Sequence, residues 1–250
     1  MDDEDYAAMP PERRRDKIKA LARKALPVPL WVRTSDLPKR LASAIVMVAI
    51  AGTALWLGGL WWSTFIGAVA VIGIWELFRI SRRLSTNFAP QAAVFLIGAL
   101  YIGYAAYCLA SLPAEVILGV VAVVIATDTG AYFSGRAIGG PKIAPRVSPS
   151  KTWAGLAGGA TAAALVSFAF FYSNIGERSF SLMGLAALGI GAVLAVVAQA
   201  GDFLESGLKR KAAVKDSSNL IPGHGGVLDR VDGLLPVAIV ASLLWYNVHP

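Results

Sequence analysis

Charged and hydroxyl-bearing residues that could take part in a reaction are concentrated in residues 206–232, which read SGLKRKAAVKDSSNLIPGHGGVLDRVD. We call this stretch the signature segment. It offers four cations that could contact phosphate groups, namely Lys209, Arg210, Lys215 and Arg230. Asp229 and Asp232 stand three residues apart, so on a helix they would share a face and could share a hard cation. Carboxylates, cations and glycine-rich backbone together predict a metal-assisted phosphate site.

Other acidic residues lie in or beside apolar runs. Asp128 follows the apolar run 116–126, and Asp202 follows another that ends in QAGD. We expect both at cytoplasmic helix ends, where a cation and a phosphate could reach them. Glu76 lies one helical turn from Arg79 and Arg82, which predicts a local ion pair.

A second basic stretch, residues 135–151, reads GRAIGGPKIAPRVSPSK and is expected to form a loop. Arg136, Ser148 and Lys151 combine there with glycines whose backbone amides are unencumbered, as phosphate binding requires. A loop that is basic only because it faces the cytoplasm would need the same charges. Composition alone leaves both interpretations open.

The elements that position these residues must be membrane helices. The chain has 250 residues, of which 56% are hydrophobic and only 16% charged, which is too apolar for an ordinary soluble domain. We predict an all-α, polytopic integral membrane protein. Apolar runs long enough to cross about 30 Å of hydrocarbon occur at about seven places: 41–58, 61–79, 91–111, 115–134, 153–173, 181–201 and 233–248.

The distribution of basic residues predicts the orientation of these helices. With a cytoplasmic N-terminus, all but one of the 23 Lys and Arg residues fall in cytoplasmic segments, and Arg178 is the exception. The net charge of +7 is therefore explained by the membrane, and we expect no nucleic acid partner. This topology places the signature segment on the cytoplasmic side of the inner (plasma) membrane.

Three regions follow from this pattern. Residues 1–40 form a basic cytoplasmic tail. Within it, the spacing of apolar and basic residues at 12–25 suits a helix lying on the membrane surface, and a disordered charged tail is the alternative. Residues 41–113 hold the N-terminal membrane helices, and residues 114–250 hold the predicted catalytic region. The single cysteine, Cys108, excludes an internal disulfide framework.

The signature segment resembles that of the phosphatidate cytidylyltransferase (CDP-diacylglycerol synthase) family. Members carry a Ser, a Lys-Arg pair, a Lys-Asp pair, a Pro-x-His-Gly-Gly turn and an Asp-Arg-x-Asp ending at fixed spacing. All of these places are filled here, by Ser206, Lys209, Arg210, Lys215, Asp216, Pro222, His224, Gly225, Gly226, Asp229, Arg230 and Asp232. The resemblance covers roughly residues 120–235, because it extends upstream to DTGAY, to Gly135-Arg136 and to SPSKTW.

The resemblance implies transfer of a cytidylyl group from CTP to phosphatidic acid, giving CDP-diacylglycerol and pyrophosphate. It implies catalytic roles for Asp202, Asp229, Asp232, Lys209 and Arg210. The three aspartates would hold Mg²⁺, and the sequence leaves open whether a second cation binds. Substrate binding would fall to Asp128, Arg136, Ser148, Lys151, Ser206, Lys215, Asp216, His224, Gly225, Gly226 and Arg230. The resemblance also suggests a homodimer in contact with membrane lipid.

The sequence differs from the usual family pattern at two positions, and two other functions stay open. Ser150 and Ala154 stand where the family usually has Lys and Glu, so the roles of those two family side chains are not carried over. A CTP-dependent lipid kinase acting on a polyprenol would use a similar site but release CDP. An ion-coupled transporter would use intramembrane acids as an ion path, but it would need polar residues spread through the spans.

Overall fold

The computed structural model describes residues 37–248, and this part of the chain is mostly helical. The predictions for the basic tail, including the surface helix at residues 12–25, lie outside the described residues apart from the start of the first helix. The elements in chain order are α1 (Leu37–Leu57), α2 (Gly59–Ser81), α3 (Phe88–Ser111), α4 (Ala114–Ala137), β1 (Lys142–Ala144), β2 (Ser148–Thr152), α5 (Trp153–Ile175), a 3₁₀ turn (Gly176–Ser179), α6 (Leu182–Lys211), α7 (Leu228–Val231) and α8 (Leu234–Val248).

Six of the described helices, α1 to α6, are long and apolar enough to cross a bilayer. The prediction of an all-α, multi-pass membrane protein is confirmed. The seventh apolar helix, α8, has 15 residues and is shorter than a standard span. The count of seven crossings and the cytoplasmic N-terminus therefore stay predictions.

The first two spans are separated where the sequence predicted, at the glycine pair. Helix α1 ends at Leu57, and Gly58 takes a φ of +64° before α2 begins. That conformation favours glycine because a Cβ atom would be strained there. The long apolar stretch is thus folded into two helices.

The basic stretch between α4 and α5 differs from the predicted loop, because it forms a short antiparallel hairpin. Lys142 pairs with Thr152 and Ala144 pairs with Ser148. The Thr152 side chain then accepts a hydrogen bond of 3.0 Å from the amide of Gly155 and so caps α5. Short strands rich in Pro and Ser lack the apolar alternation that identifies a strand in a sequence.

Small residues bring the helices of the C-terminal half close together. A Cβ atom added to Gly130 of α4 would lie 2.7 Å from the carbonyl oxygen of Gly158 in α5. Behind them, Val120, Leu194 and Val237 belong to one buried cluster that joins α4, α6 and α8. This packing fixes the three segments that carry Asp128, Asp202 and Asp232.

A second apolar cluster joins the N-terminal helices to the signature segment. Leu77 and Ile80 of α2 and Ile102 of α3 are packed with Leu228 and Leu235. The C-terminal end of α2 is therefore held directly against the residues that surround Asp229 and Asp232.

Candidate functional site

An ion pair between the hairpin and α6 lies at the centre of the site. The Nζ of Lys151 is 2.6 Å from Oδ2 of Asp202, and both side chains are 19% exposed. The same ammonium group lies 4.6 Å from the ring centre of Phe203. Lys151 is aimed by the end of β2, so the hairpin positions this cation over the intramembrane carboxylate.

Asp128 and Asp202 lie inside their helices, and the prediction that they lie at helix ends is wrong. Helix α4 continues to Ala137 and α6 to Lys211, which is about two and a half turns beyond each carboxylate. The apolar runs end at these residues, but the helices continue because the following residues still form helical hydrogen bonds and pack against the hairpin. Helix α6, with 30 residues, is about 45 Å long and exceeds the hydrocarbon thickness of about 30 Å.

Asp232 meets Asp202 because two glycines allow their backbones to approach. A Cβ atom on Gly201 would overlap the carbonyl oxygen of Asp232, and a Cβ atom on Gly233 would lie 3.0 Å from Oδ1 of Asp202. Asp128, Asp202 and Asp232 lie within electrostatic range of one another. The structure thus brings these three carboxylates together. We call them the acidic triad.

A pocket of about 320 Å³ opens beside the acidic triad, and we call it the polar pocket because charged and amide side chains contribute to its lining. It lies between α4, the hairpin, the start of α5 and Gln199 of α6. Its lining includes Asp128, Tyr132, Arg136, Ser150 and Lys151 as well as Gln199. Three of the predicted substrate-binding residues, Asp128, Arg136 and Lys151, thus share one pocket. Gln199, which is buried, had not been predicted. The signal in the sequence is an amide side chain within an apolar run, one turn before Asp202.

An apolar pocket of about 370 Å³ lies against α3 and the opposite side of α6. Its walls are mainly leucine, isoleucine and valine side chains, and Glu205 and Asp232 stand at its polar end. Ile97 and Leu204 line it and are 69% and 64% exposed, so it opens on the apolar surface of the helix bundle. No feature of the sequence predicted this cavity, because its walls come from five separate elements.

A second group of charges surrounds Asp229. Lys209 Nζ lies 2.6 Å from Oδ1 of Asp229 and 3.0 Å from Oε2 of Glu205, one turn earlier in α6. Oδ2 of Asp229 accepts hydrogen bonds from the backbone amides of Ser217 and Gly226, at 2.9 and 2.8 Å, and from the Ser217 hydroxyl at 2.9 Å. Both oxygens of this carboxylate are thus engaged by protein donors.

These contacts keep Asp229 ionised. Burial of the side chain opposes ionisation, but hydrogen bonds from Lys209 and from the amides of Gly226 and Ser217 prevail and lower its pKa to about 2. A carboxylate with this pKa holds its charge throughout the neutral range. Asp229 therefore serves as a fixed anion that anchors Lys209 and the preceding loop.

Glu76 reaches the same region from α2, and the prediction of a local ion pair with Arg79 and Arg82 is wrong. Its side chain is fully buried, and its oxygens accept hydrogen bonds from residues 217–228. Arg79 and Arg82 instead stack on the aromatic rings of Trp75 and Phe78. Helical spacing identified neighbours of Glu76 on its own helix, whereas its partners lie about 150 positions further along the chain.

Several predicted substrate-binding residues lie away from the acidic triad. Lys215 and Asp216 are exposed and line a separate pocket of about 400 Å³ beside Arg79. The Nδ1 atom of His224 is hydrogen-bonded to the hydroxyl of Ser43 in α1 at 2.8 Å. These residues are not brought together with the acidic triad, and their substrate-binding roles stay predictions.

The remaining predicted residues border the two groups. The Arg210 Nε donates a hydrogen bond of 3.4 Å to the carbonyl of Val147 and links α6 to the hairpin. Ser148 is buried at the start of β2, and Ser206 is half-buried one turn after Asp202. Arg230 is exposed but within electrostatic range of Asp128. Gly225 must be small, because a Cβ atom there would lie 2.8 Å from Oδ2 of Asp229.

The acidic triad has the donor chemistry of a magnesium site, although within residues 37–248 no three acidic, His or Cys side chains already stand in a metal-binding group. Mg²⁺ needs only one or two carboxylates when substrate phosphates complete its shell. Asp202 and Asp232 supply such a pair, with Lys151 the one cation bonded directly to it in the described structure. Asp229, the third predicted ligand, is already saturated by hydrogen bonds, so the geometry favours Asp202 and Asp232.

Comparison with known proteins gives consistent matches along the chain. The cytidylyltransferase family matches residues 38–119 and 113–248. The phosphatidate cytidylyltransferase of Brucella suis biovar 1 is 34% identical over 256 residues, which cover 84% of this chain and 93% of that protein. The protein of the same name from Pseudomonas aeruginosa is 33% identical over 267 residues, covering 84% of this chain and 97% of that protein. That of Haemophilus influenzae is 45% identical over 136 residues, 53% of this chain and 46% of that protein.

Proposed function

The chain belongs to the cytidylyltransferase family, and from this premise we propose that it transfers the cytidylyl group of CTP to phosphatidic acid. The products are CDP-diacylglycerol and pyrophosphate. The relatives named above carry the name of this activity and match most of the chain. The structural features of the site support the same reaction.

The observation that carries the proposal is the arrangement of two unlike pockets around the acidic triad. The polar pocket includes Asp128 and Lys151, and the apolar pocket includes Asp232 and Glu205. A water-soluble nucleotide and a diacyl lipid need such different environments, yet their phosphates must meet. The acidic triad lies where the two pockets approach each other.

The polar pocket suits the nucleotide. Arg136 and Lys151 supply positive charge for the phosphates of CTP, and the half-buried Lys151 is held in place by Asp202. Gln199 and Ser150 offer neutral hydrogen-bonding groups for the cytidine. Burial strengthens these electrostatic contacts relative to contacts in bulk water.

The apolar pocket suits an acyl chain of the lipid. Its mouth between Ile97 and Leu204 opens on the surface that faces hydrocarbon, and its polar end is formed by Glu205 and Asp232. A lipid entering from the leaflet would place its chain among apolar walls and its phosphate at that end. Access from within the membrane follows from the solubility of the substrate.

In the reaction, an oxygen of the lipid phosphate attacks the α-phosphorus of CTP. A new P–O bond forms, the bond between the α-phosphorus and the bridging oxygen to the β-phosphate breaks, and pyrophosphate leaves with that electron pair. The attacking oxygen is already anionic near neutral pH, so the chain need not supply a general base. Lys151 and Arg136 offset the repulsion between the two polyanions.

Asp202 and Asp232 would hold Mg²⁺ at this site, with Asp128 next to them. The ion would neutralise charge that builds up on the phosphates and on the leaving pyrophosphate. Lys151 would then balance the remaining charge of Asp202. Asp229 and Lys209 would act from the neighbouring ion pair, by keeping the signature segment in place.

We place the site on the cytoplasmic side of the inner (plasma) membrane and propose that the chain works as a homodimer. The orientation is supported by the basic residues in or just after the last turns of α2, α4 and α6, including Arg83, Arg136 and Lys211. The homodimer is supported by the family resemblance. Native mass spectrometry of the protein in lipid nanodiscs would measure the oligomeric state, and a monomer with full activity would contradict the dimer.

Product analysis tests the proposed reaction. Purified protein in mixed micelles is given phosphatidic acid, Mg²⁺ and CTP labelled at the α-phosphorus. We expect the label to enter the lipid as CDP-diacylglycerol, with one pyrophosphate released for each lipid formed. A CTP-dependent lipid kinase would instead release labelled CDP. Ion flux through proteoliposomes without nucleotide turnover would favour a transporter.

A further inference from the structure

Glu76 is a buried carboxylate that lies outside the signature segment and has no role in the proposed reaction. It is in α2, in the N-terminal half of the chain, and its side chain is 0% exposed. Oε1 accepts hydrogen bonds from the Ser218 hydroxyl and, at 3.0 Å, from the amide of Val227. Oε2 accepts from the amide of Leu228 at 2.7 Å and lies 3.0 Å from the Ser217 hydroxyl.

All of these donors come from one stretch, residues 217–228, which ends immediately before Asp229. Among the residues that the structure describes, no cation pairs with Glu76. Its negative charge is therefore stabilised by the ends of this stretch alone. Conversely, the amides of Val227 and Leu228 have their polar partner in Glu76, because they precede the first hydrogen-bonded turn of α7.

We propose that Glu76 is a positioning residue that fixes residues 217–228 and thereby sets the direction of Asp229 and Lys209. This inference rests on the proposed function, because the effect of this orientation on activity is measured as the rate of cytidylyl transfer. Glu76 does not touch the acidic triad and acts through the loop.

The Ser217 hydroxyl connects the two carboxylates. Its oxygen lies 3.0 Å from Oε2 of Glu76 and 2.9 Å from Oδ2 of Asp229, and a single hydroxyl proton can serve only one of them at a time. A displacement of Glu76 would therefore alter the hydrogen bonding of Asp229. The Lys209 ammonium group, which pairs with the other oxygen of Asp229 and with Glu205, would then contact a less firmly oriented carboxylate.

Gly226 shows how closely the loop is fitted to Glu76. A Cβ atom at this position would overlap the Ser217 hydroxyl oxygen and lie 2.5 Å from Oε1 of Glu76. Its amide donates to Oδ2 of Asp229 at 2.8 Å. Only a residue without a side chain lets the loop contact both carboxylates at once.

The test replaces Glu76 by Gln, which keeps the size of the side chain but turns one acceptor into a donor facing N–H and O–H donors. Glu115→Gln is the matched control, because Glu115 is exposed at the far end of α4. Both proteins are compared with the unchanged chain by kcat, by KM for CTP and for phosphatidic acid, and by amide hydrogen exchange resolved along the sequence.

For Glu76→Gln we expect kcat to fall about 30-fold or more, with each KM within about threefold, because supporting residues of this kind typically affect activity 10- to 100-fold. Amides of residues 226–228 should exchange at least about tenfold faster while those of α5 keep their protection. A residue that only stabilised the fold would lower the yield of folded protein without this local change. Glu115→Gln should match the unchanged chain in every measurement.

Ser218→Ala keeps the inference testable if Glu76→Gln does not fold. It removes one donor to Oε1, so we expect kcat to fall about three- to tenfold with faster exchange in residues 217–228, whereas Ser173→Ala on the exposed end of α5 should change neither. Unchanged kcat and exchange in Ser218→Ala, or in a folded Glu76→Gln, would overturn the proposal. The exchange measurement does not depend on turnover. If the protein without any substitution makes no CDP-diacylglycerol, the proposed function is refuted, and hydrogen exchange still tests whether Glu76 holds the loop.

Discussion

The structure contains two groups of acidic residues that look alike in the sequence and differ in what surrounds them. The acidic triad borders two pockets, and Lys151 is the one cation that the described structure bonds to it directly. Asp229 and Glu76 are instead surrounded by hydrogen-bond donors of the signature segment. Carboxylates with free oxygen can bind a cation or respond to substrate, whereas carboxylates saturated by the protein hold the backbone in place.

The largest effect should follow the loss of a charge from the acidic triad. For Asp232→Asn we expect kcat to fall about a thousandfold or more, because this carboxylate would help to hold Mg²⁺ in the proposed reaction. Its hydrogen bonds in the described structure are local, to the amide of Gly233 and to Glu205. The melting temperature should stay within about 3 °C of the unchanged chain. Labelled-CTP turnover and thermal unfolding in detergent measure both quantities, and Glu177→Gln, which changes an exposed residue, is the control.

Asp229→Asn should lower both activity and stability. The amide would oppose the donors of Ser217 and Gly226 and would remove the shorter of the two ion pairs of Lys209, leaving the one with Glu205. We expect a kcat about a hundredfold lower and a free energy of unfolding lower by about 2 kcal/mol. The same two assays apply. A folded variant with normal kcat would show that Asp229 does not support activity. A variant with normal stability would show that Asp229 does not differ from Asp232 in holding the fold.

A smaller and more selective effect should come from filling the apolar pocket. Leu204→Trp places a bulky indole ring at its mouth, so we expect KM for phosphatidic acid to rise about fivefold while KM for CTP changes less than about twofold. Leu185→Trp, on an exposed position near the start of the same helix, controls for the added ring. An equal rise in both KM values would mean that the two substrates do not use separate pockets.

The smallest effect should come from restoring the usual family residue at position 150. Ser150 is exposed and lines the polar pocket, so Ser150→Lys adds a cation near the expected phosphates. An exposed charge contributes little in water, and we expect KM for CTP to fall about two- to threefold at low salt and to return in high salt. Steady-state kinetics at two salt concentrations measure this. A large rise in kcat would show that the chain lacks a cation that it needs.

The sequence predicted the membrane helices and much of the site because those signals are local. Apolar runs gave the six spans, the glycine pair gave the boundary between α1 and α2, and the spacing within the signature segment gave the family. Asp128 and Asp202 were found because charges at the end of apolar runs are costly and therefore conspicuous. Their positions inside helices were not predicted, because a change in composition does not have to coincide with the end of a helix.

The features that the sequence did not predict depend on contacts between distant segments. Glu76 lies next to arginines in sequence, but its partners are brought to it by the packing of α2 against α7 and α8. The hairpin that aims Lys151 has no apolar alternation, and the apolar pocket has walls from several elements. Tertiary packing decides all three, and a single sequence carries no direct signal for it.

We propose that the two substrates reach the acidic triad from opposite sides of α6. A cryo-electron microscopy structure of the protein in nanodiscs, with phosphatidic acid, Mg²⁺ and a non-hydrolysable CTP analogue, tests it most directly. We predict the nucleotide phosphates beside Lys151 in the polar pocket, the acyl chain beside Leu204 in the apolar pocket, and the cation on Asp202 and Asp232. Both substrates in one pocket, or the cation on Asp229 with its hydrogen bonds to Ser217 and Gly226 broken, would rule out this arrangement.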